Sequence, residues 1–353
     1  MFVSGIGTAT PPQRYSKAQC WEAFAASDWY ARLSPRATGI MQTVLQQQDN
    51  GIETRHLAID TLDEVFEVDP DILHRRFVQH APALAQEAGE RALVDAGLGA
   101  EEIDAIVVSS CTGYLCPGLS GYVVERLGLR SNVRAYDLVG QGCAAALPNW
   151  QLAEALLRSG QSRHVLSVCV EVCSAAMYLD NDPGVLISAC LFGDGAGAAV
   201  LSAEPDRGKR RIEWKASGSL MNTEERNALR FETQQGLLRN ILTRRVPRLA
   251  AEHAGQVLAD LLSEAGLQQS DIRGWIMHAG GRDVLLALQS QLNVDAADFA
   301  YSASMLYNYG NLSSAFVYFV LQAALEDEAP GGWWYMSSFG AGFSCHGALL
   351  EVD

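Results

Sequence analysis

The strongest constraint on this chain is that it repeats itself. Residues 92 to 110 read ALVDAGLGAEEIDAIVVSS, and residues 261 to 279 read LLSEAGLQQSDIRGWIMHA. Each runs from a helix end through Ala-Gly-Leu and an acidic loop into an apolar strand. The glycine suits a helix C-cap, and the strands suit a buried sheet. Further along, QGCAAALPNWQLAEALL (141–157) aligns with YGNLSSAFVYFVLQAAL (309–325), which sets Cys143 opposite Asn311. Both segments are apolar nearly all round, as buried central helices are. Last, FGDGAGAAVL (192–201) is echoed by FGAGFSCHGALL (339–350), a Gly-rich turn before a strand. Three matches in the same order predict a duplicated α/β unit, with helices packed on mixed sheets. The segment EPDRGKRR is the expected linker, dividing the chain into an N-terminal half over 1–205 and a C-terminal half over 206–353.

Duplication has a geometric consequence. Equivalent helices face each other across a pseudo-twofold axis, so the turns that carry Cys143 and Asn311 are expected to converge. His278 ends the strand IRGWIMH just before Gly280 and Gly281, and is placed to join them. A thiol at a helix N-terminus feels the positive end of the dipole, and a neighbouring imidazole adds to it; both predict a lowered pKa. Thiolate is the form that attacks an acyl thioester. A neutral imidazole N–H and an amide N–H are donors for a thioester enolate or a tetrahedral intermediate. The set fits carbon–carbon bond formation by decarboxylative Claisen condensation, which needs no carboxylate base. Taken singly, each residue has a plainer explanation: a small core thiol, a core histidine bonded to backbone, an asparagine capping the helix at Ser313. The repeat supplies a reason for the three to meet.

The bulk numbers exclude other classes. A net charge of −15 over 353 residues argues against nucleic acid as a partner. No apolar run approaches the roughly 18 residues of a membrane helix, and MFVSGIGTATPPQRYS lacks the pattern of a signal peptide, so a cytoplasmic protein without a membrane span is expected. The eight cysteines form no CxxC pair and match no zinc spacing, so no metal site and no disulfide framework are predicted. FGDGAGA lacks the G-x-G-x-x-G order of a dinucleotide loop and reads as a tight turn.

The Gly-Cys at a helix start, IMHAGG, YGNLSSA and SFGAGF, in that order, resemble the type III polyketide synthases of the chalcone synthase superfamily, in its bacterial branch. The resemblance spans nearly the whole chain. It implies a thiolase-like fold of five layers, αβαβα, a homodimer, and repeated extension with malonyl-CoA without any cofactor. It makes Cys143 the acyl-carrying nucleophile, and His278 and Asn311 the pair that drives malonyl decarboxylation. Phe192 matches an aromatic gatekeeper between the CoA tunnel and the cavity, and Asn240 stands where the second gatekeeper is usually Phe. Ser313 matches a position beside the catalytic cysteine, and Phe343 belongs to the loop that scaffolds the site, with Ala341 in place of a usual proline.

The remaining clues concern substrates. Tyr114 and Cys116, in CTGYLCPGLSGY, are expected to line the cavity. Ala176 replaces a larger polar residue and would open a tunnel for an acyl chain. Where plant relatives carry several basic residues for the CoA phosphates, MQTVLQQQDNGIETRH offers only Arg55; Arg282, with Arg36, Arg244 and Arg245, is expected to compensate. An acyl carrier protein is an alternative donor. The reading is a medium- or long-chain fatty acyl starter extended to an alkylpyrone or alkylresorcinol. The rivals are a single-condensation enzyme like the ketoacyl-ACP synthases III, an acyl-thioester hydrolase, and a non-enzymatic acyl-binding protein.

Overall fold

The computed structural model describes residues 1–47, 49–206 and 208–353. Nine strands form one sheet: β1 (Phe2–Ala9), β2 (Ala105–Ser109), β3 (Arg134–Leu138), β4 (His164–Glu171), β5 (Gly195–Ser202), β6 (Ile212–Met221), β7 (Ile272–Met277), β8 (Gly332–Gly340) and β9 (Ser344–Val352). Their order is β7-β8-β9-β6-β1-β5-β4-β2-β3. The duplication is written in the pairing. β2 lies parallel to β4, β4 antiparallel to β5, and β5 antiparallel to β1. In the same sequence β7 lies parallel to β8, β8 antiparallel to β9, and β9 antiparallel to β6. β3 extends the first set alone, parallel to β2. The two sets join edge to edge at the pair Phe2–Glu213, where the Trp214 N–H also donates to the Met1 carbonyl at 2.9 Å.

Five helices position the site: α1 (Pro70–Ala96), α2 (Ala146–Arg158), α3 (Pro183–Leu191), α4 (Val246–Ala265) and α5 (Phe316–Glu326). α1 starts at Asp69, whose carboxylate accepts from the Asp71 and Ile72 N–H groups, with Pro70 in the first turn. The two Ala-Gly-Leu segments end α1 and α4 in one manner. Gly97 has φ 66° and Gly266 has φ 68°, a left-handed cap that costs glycine little. Past the caps, Leu98 N–H bonds Leu93 C=O at 3.1 Å and Leu267 N–H bonds Leu262 C=O at 2.9 Å.

α1 packs on β1, β4 and β5, and α4 packs on the equivalent β6, β8 and β9. α2 and α5 touch strands of both sets, so they lie between the two half-sheets. The layers therefore run helix, strands, helices, strands, helix. Trp150 of α2 and Tyr318 of α5 stand 168 residues apart, and the indole N–H donates to the phenol oxygen at 3.1 Å. Cys143 and Asn311 have the same spacing in the repeat. Equivalent residues of the two copies thus meet on the axis that relates them. Both side chains are fully buried, and the Tyr318 hydroxyl also lies 2.8 Å from Ser167 Oγ, so the polar atoms are satisfied.

Truncating this contact should be costly. Trp150→Ala is expected to lose about 3–5 kcal/mol in chemical denaturation, the usual toll of a large core deletion. Tyr318→Phe, which strands the indole N–H, should lose about 1–3 kcal/mol. Values near zero would mean that the axis contact does not hold the halves together.

Candidate active site

Cys143 sits in a single 3-10 turn, Gly142–Ala144, ahead of α2. Gly142 has φ 56°, and a Cβ there would lie 3.0 Å from the Ala341 backbone N, so the loop 340–342 closes directly on this turn. Asn311 precedes the matching turn, Ser313–Ala315, ahead of α5. The two turns meet. Ser313 Oγ donates to Cys143 Sγ at 3.3 Å and also lies 3.2 Å from Glu171 Oε1 and 3.3 Å from Cys111 Sγ. Its single proton serves one of these at a time. Ser313 holds φ 52°, an uncommon conformation for a residue with a side chain. The Asn311 side chain secures it, with Oδ1 accepting the Ser313 N–H at 2.8 Å.

Asn311 ties three segments together. Its backbone N–H donates to Leu191 C=O at 2.9 Å and its C=O accepts from Gly193 N–H at 3.0 Å, which flanks Phe192 on both sides. Its Nδ2 donates to Gly280 C=O at 3.3 Å, on the loop that follows His278. One Nδ2 hydrogen remains for other use. His278 leaves β7 with its N–H bonded to Ser337 C=O at 2.9 Å. Its ring is 1 % exposed and lies edge-on to Phe316 and Phe339, with centroids 5.4 and 5.0 Å away. Both ring nitrogens are buried without a partner. Burial lowers its pKa to about 3, so the imidazole is neutral across the physiological range.

The thiol departs from the sequence expectation. Burial pushes the Cys143 pKa up to about 12; the Ser313 hydrogen bond works against the rise and the Glu171 carboxylate adds to it. The turn is one residue triplet and the imidazole carries no charge, so the two effects expected to lower the value are outweighed by desolvation. At neutral pH the pair is thiol and imidazole.

Behind the thiol lies a carboxylate that sequence reasoning passed over. Glu171 ends β4 and is fully buried. Oε2 accepts from Cys111 N–H at 3.0 Å, Thr112 Oγ1 at 2.9 Å and Ser110 Oγ at 3.3 Å. Oε1 accepts from Cys111 Sγ at 3.3 Å and from Ser314 Oγ. The signal was present: one glutamate interrupts the otherwise apolar strand VLSVCVEVC. Cys111 and Phe231 were missed as well.

A cavity of about 30 Å³ opens beside these groups, and Ala176, Phe192, Asn240 and Ser313 line it, with Cys111 and Phe231. Cys111, Thr112, Phe231 and Leu238 separate it from an open cavity of about 800 Å³ that Tyr114, Gly142 and Ala341 border. Three predicted residues lie elsewhere. Cys116 is exposed, beside a cis peptide to Pro117, and borders neither cavity. Phe343 is fully buried, stacked on Phe339 at 6.2 Å and packed on His253, so it supports the aromatic wall behind His278 and meets no substrate space. Arg55 is 6 % exposed, with Nη1 bonded to Ala189 C=O at 2.6 Å and Phe192 C=O at 2.9 Å and Nη2 to Cys20 Sγ at 3.3 Å. It braces the segment that carries Phe192 and has no face for a phosphate. Arg282 keeps 40 % exposure, with loose partners in Asp49 at 3.9 Å and Asp283 at 3.5 Å. Among the described residues no group of three or more His, Cys, Asp or Glu is placed to hold a metal, and no helix is long and apolar enough to cross a membrane.

A thiol and an amide in the turns ahead of paired central helices, with an uncharged imidazole on the strand end whose loop that amide holds, in a layered duplicated sheet, point to the class: a thiolase-like condensing enzyme acting on acyl thioesters. Two family models match, the FAE1/Type III polyketide synthase-like protein over residues 31–223 and the chalcone and stilbene synthase C-terminal domain over 216–351. The chain belongs to the type III polyketide synthases, acyltransferases that act on CoA thioesters without a further cofactor. It is 31% identical over 355 residues to a 1,3,6,8-tetrahydroxynaphthalene synthase of Streptomyces peucetius, covering 99% of this chain and 92% of that one. It is 28% identical over 366 residues to the alpha-pyrone synthesis polyketide synthase-like Pks18 of Mycobacterium tuberculosis, covering 99% and 91%. The crystal structure of the tetrahydroxynaphthalene synthase of Streptomyces coelicolor superposes with a TM-score of 0.89 at 25% identity, covering 99% of both chains.

The raised thiol pKa predicts a measurable pH profile. Iodoacetamide alkylation of Cys143 should rise with pH to a midpoint above the free-thiol value of about 8.5, because the thiolate appears only when alkali overcomes burial. Glu171→Gln, which removes the neighbouring charge, should bring that midpoint down. A wild-type midpoint below about 8 would restore the thiolate that the sequence predicted.

Proposed function

We propose that the enzyme loads a medium- or long-chain fatty acyl starter onto Cys143, extends it with malonyl-CoA, and closes an alkylpyrone or alkylresorcinol. The observation that carries the catalytic half is the junction of the Cys143 turn with Asn311 through Ser313, and of Asn311 with the His278 loop through Gly280. In the loading step His278 takes the Cys143 proton as the starter thioester enters. The thiolate attacks the thioester carbon, the CoA sulfur leaves with the proton from the imidazolium, and the acyl group stays on Cys143. Malonyl-CoA then places its thioester oxygen between a His278 N–H and the spare Asn311 Nδ2 hydrogen. CO₂ departs, the electron pair becomes an enolate held by those two donors, and its carbon attacks the Cys143 thioester and expels the sulfur. An imidazole that is neutral down to about pH 3 supplies the N–H throughout.

The alkyl starter is supported by the walls. Met177, Val185, Ala189 and Leu238 make the cavity beside Asn240 mostly apolar. Met177 and Ala189 also wall a second cavity of about 30 Å³, lined by Phe24, Met41, Leu45 and Phe66. Met177, an unbranched and adaptable side chain, borders both, so its movement would let an acyl chain extend from the first space toward the second. Ala176 adds a small side chain to the wall of the first space. Arg282, with the exposed Arg36 and Arg244, offers a cationic face for CoA phosphate; an acyl carrier protein is the second donor. We also read the chain as a cytoplasmic homodimer whose halves divide near residue 205, with Tyr114 on the open cavity.

Mass spectrometry of products from malonyl-CoA and a ladder of acyl-CoA starters tests this reading. Pyrones or resorcinols should peak with long chains and vanish in Cys143→Ala. Ala176→Phe should cut kcat/KM for the longest starters about tenfold relative to the shortest, the scale of a misfit in an apolar pocket. Single-condensation ketoacyl products, or free acids alone, would sink the polyketide reading in favour of the initiating synthase or the hydrolase.

A further inference from the structure

The hairpin of residues 229–234 and 237–242 brings one amide into the cavity wall, and that amide is left half-satisfied. Asn240 is 4 % exposed and pairs across the hairpin with Phe231, which lines the same cavity. Two contacts pin the hairpin to α3. Arg239 Nη2 meets Asp182 Oδ2 at 2.5 Å, at the start of the helix, and Asn240 Nδ2 donates to Ser188 Oγ at 2.7 Å, nearly two turns further on.

The orientation of the amide follows from where the Ser188 proton goes. Ser188 Oγ donates to the Gly184 carbonyl at 2.7 Å, inside its own helix. A hydroxyl has one proton, so toward Asn240 it only accepts. The Asn240 nitrogen must therefore face Ser188, and the carbonyl oxygen is the atom left over. That oxygen, Oδ1, is buried and has no hydrogen-bond partner. Buried acceptors are normally paired, and an orphan in a cavity wall is the mark of a partner that arrives with the ligand. His278, the proposed donor to substrate, has orphaned nitrogens for the same reason.

The ligand must bring a donor. A saturated acyl chain has none and a malonyl carboxylate has none, which leaves the pantetheine amides and the extended chain. After one condensation the chain is a 1,3-dicarbonyl, whose enol form carries one O–H that it shares with the neighbouring carbonyl and can offer to a second acceptor. We propose that Asn240 Oδ1 accepts a hydrogen bond from the enol hydroxyl of the β-keto intermediate, so that the site grips the extended chain more firmly than the starter it replaces. Asn240 is then a binding residue for extension, placed where a phenyl ring would offer no acceptor. The inference rests on the polyketide reading but not on the identity of the starter.

Calorimetric titration in the Cys143→Ala background tests it without turnover. The probes are two pantetheine thioesters of equal chain length, one 3-oxoacyl and one saturated. With Asn240 present the 3-oxoacyl thioester should bind about five- to tenfold more tightly, the range of one neutral hydrogen bond, and a near-ultraviolet enol band should grow on binding. Asn240→Leu should collapse the ratio to about one and remove the band, while the saturated thioester reports whether the cavity still forms. A preference that survives Asn240→Leu overturns the proposal. A loss of affinity shared equally by both thioesters also overturns it, by assigning Oδ1 to a pantetheine amide. Because no condensation is needed, a protein that fails to extend starters defeats the polyketide reading and leaves this measurement to give its own answer.

Discussion

The contact between Trp150 and Tyr318 is the joint on which the rest of the molecule turns. A duplicated α/β unit must bury the apolar face of each half-sheet, and the economical way is to place one helix from each copy between them. α2 and α5 fill that space, and the indole–phenol hydrogen bond marks where the copies cross. Once the helices are locked there, the turns that precede them have no choice of direction. They end opposite each other, which is why residues 143 and 311 share a site. The proposed chemistry is thus a by-product of symmetric packing, with a thiol in one copy facing an amide in the other.

Burial by both half-sheets also sets the electrostatics. His278 is held among phenyl rings with no charge near enough to keep it protonated, and Cys143 is held as a thiol beside a buried carboxylate. Such a resting state holds neither a thiolate nor an imidazolium. In the mechanism proposed here a nucleophile appears when substrate displaces the balance, and the neutral imidazole serves as donor to the enolate without competing for its electrons. Ser313 is the pivot: its hydroxyl reaches the thiol, Cys111 and Glu171, and its left-handed backbone is held by the Asn311 oxygen. A buried carboxylate bonded only to neutral donors beside a cysteine is a costly feature. It persists because hydroxyl, thiol and backbone donors surround it on both oxygens.

Much of this was legible in the sequence. The Ala-Gly-Leu caps at 97 and 266 and the two apolar helices were readable because each depends on local rules of capping and periodicity. Ala176, Phe192, Asn240 and Ser313 were placed on the cavity by their positions in recognised segments, and they line it. Arg55 was misread because charge is visible in a sequence and saturation is not; its guanidinium is spent on the carbonyls of residues 189 and 192. Phe343 was misread because its loop approaches the site while its side chain turns into the core. Glu171 was passed over because a lone carboxylate in an apolar strand states its oddity but not its partners.

What the sequence determined by itself was the duplication, and with it the fold and the expectation that the turns of Cys143 and Asn311 converge. These follow from patterns that repeat along the chain and need no distances. What only the tertiary structure decided was the state of the groups that meet: a protonated thiol, an uncharged imidazole, an arginine with no free face, an amide oxygen with no partner. The physical reason is that ionisation and satisfaction depend on how much water and which donors surround an atom. Those neighbours come from segments as far apart as residues 55, 171 and 313, and folding alone brings them together.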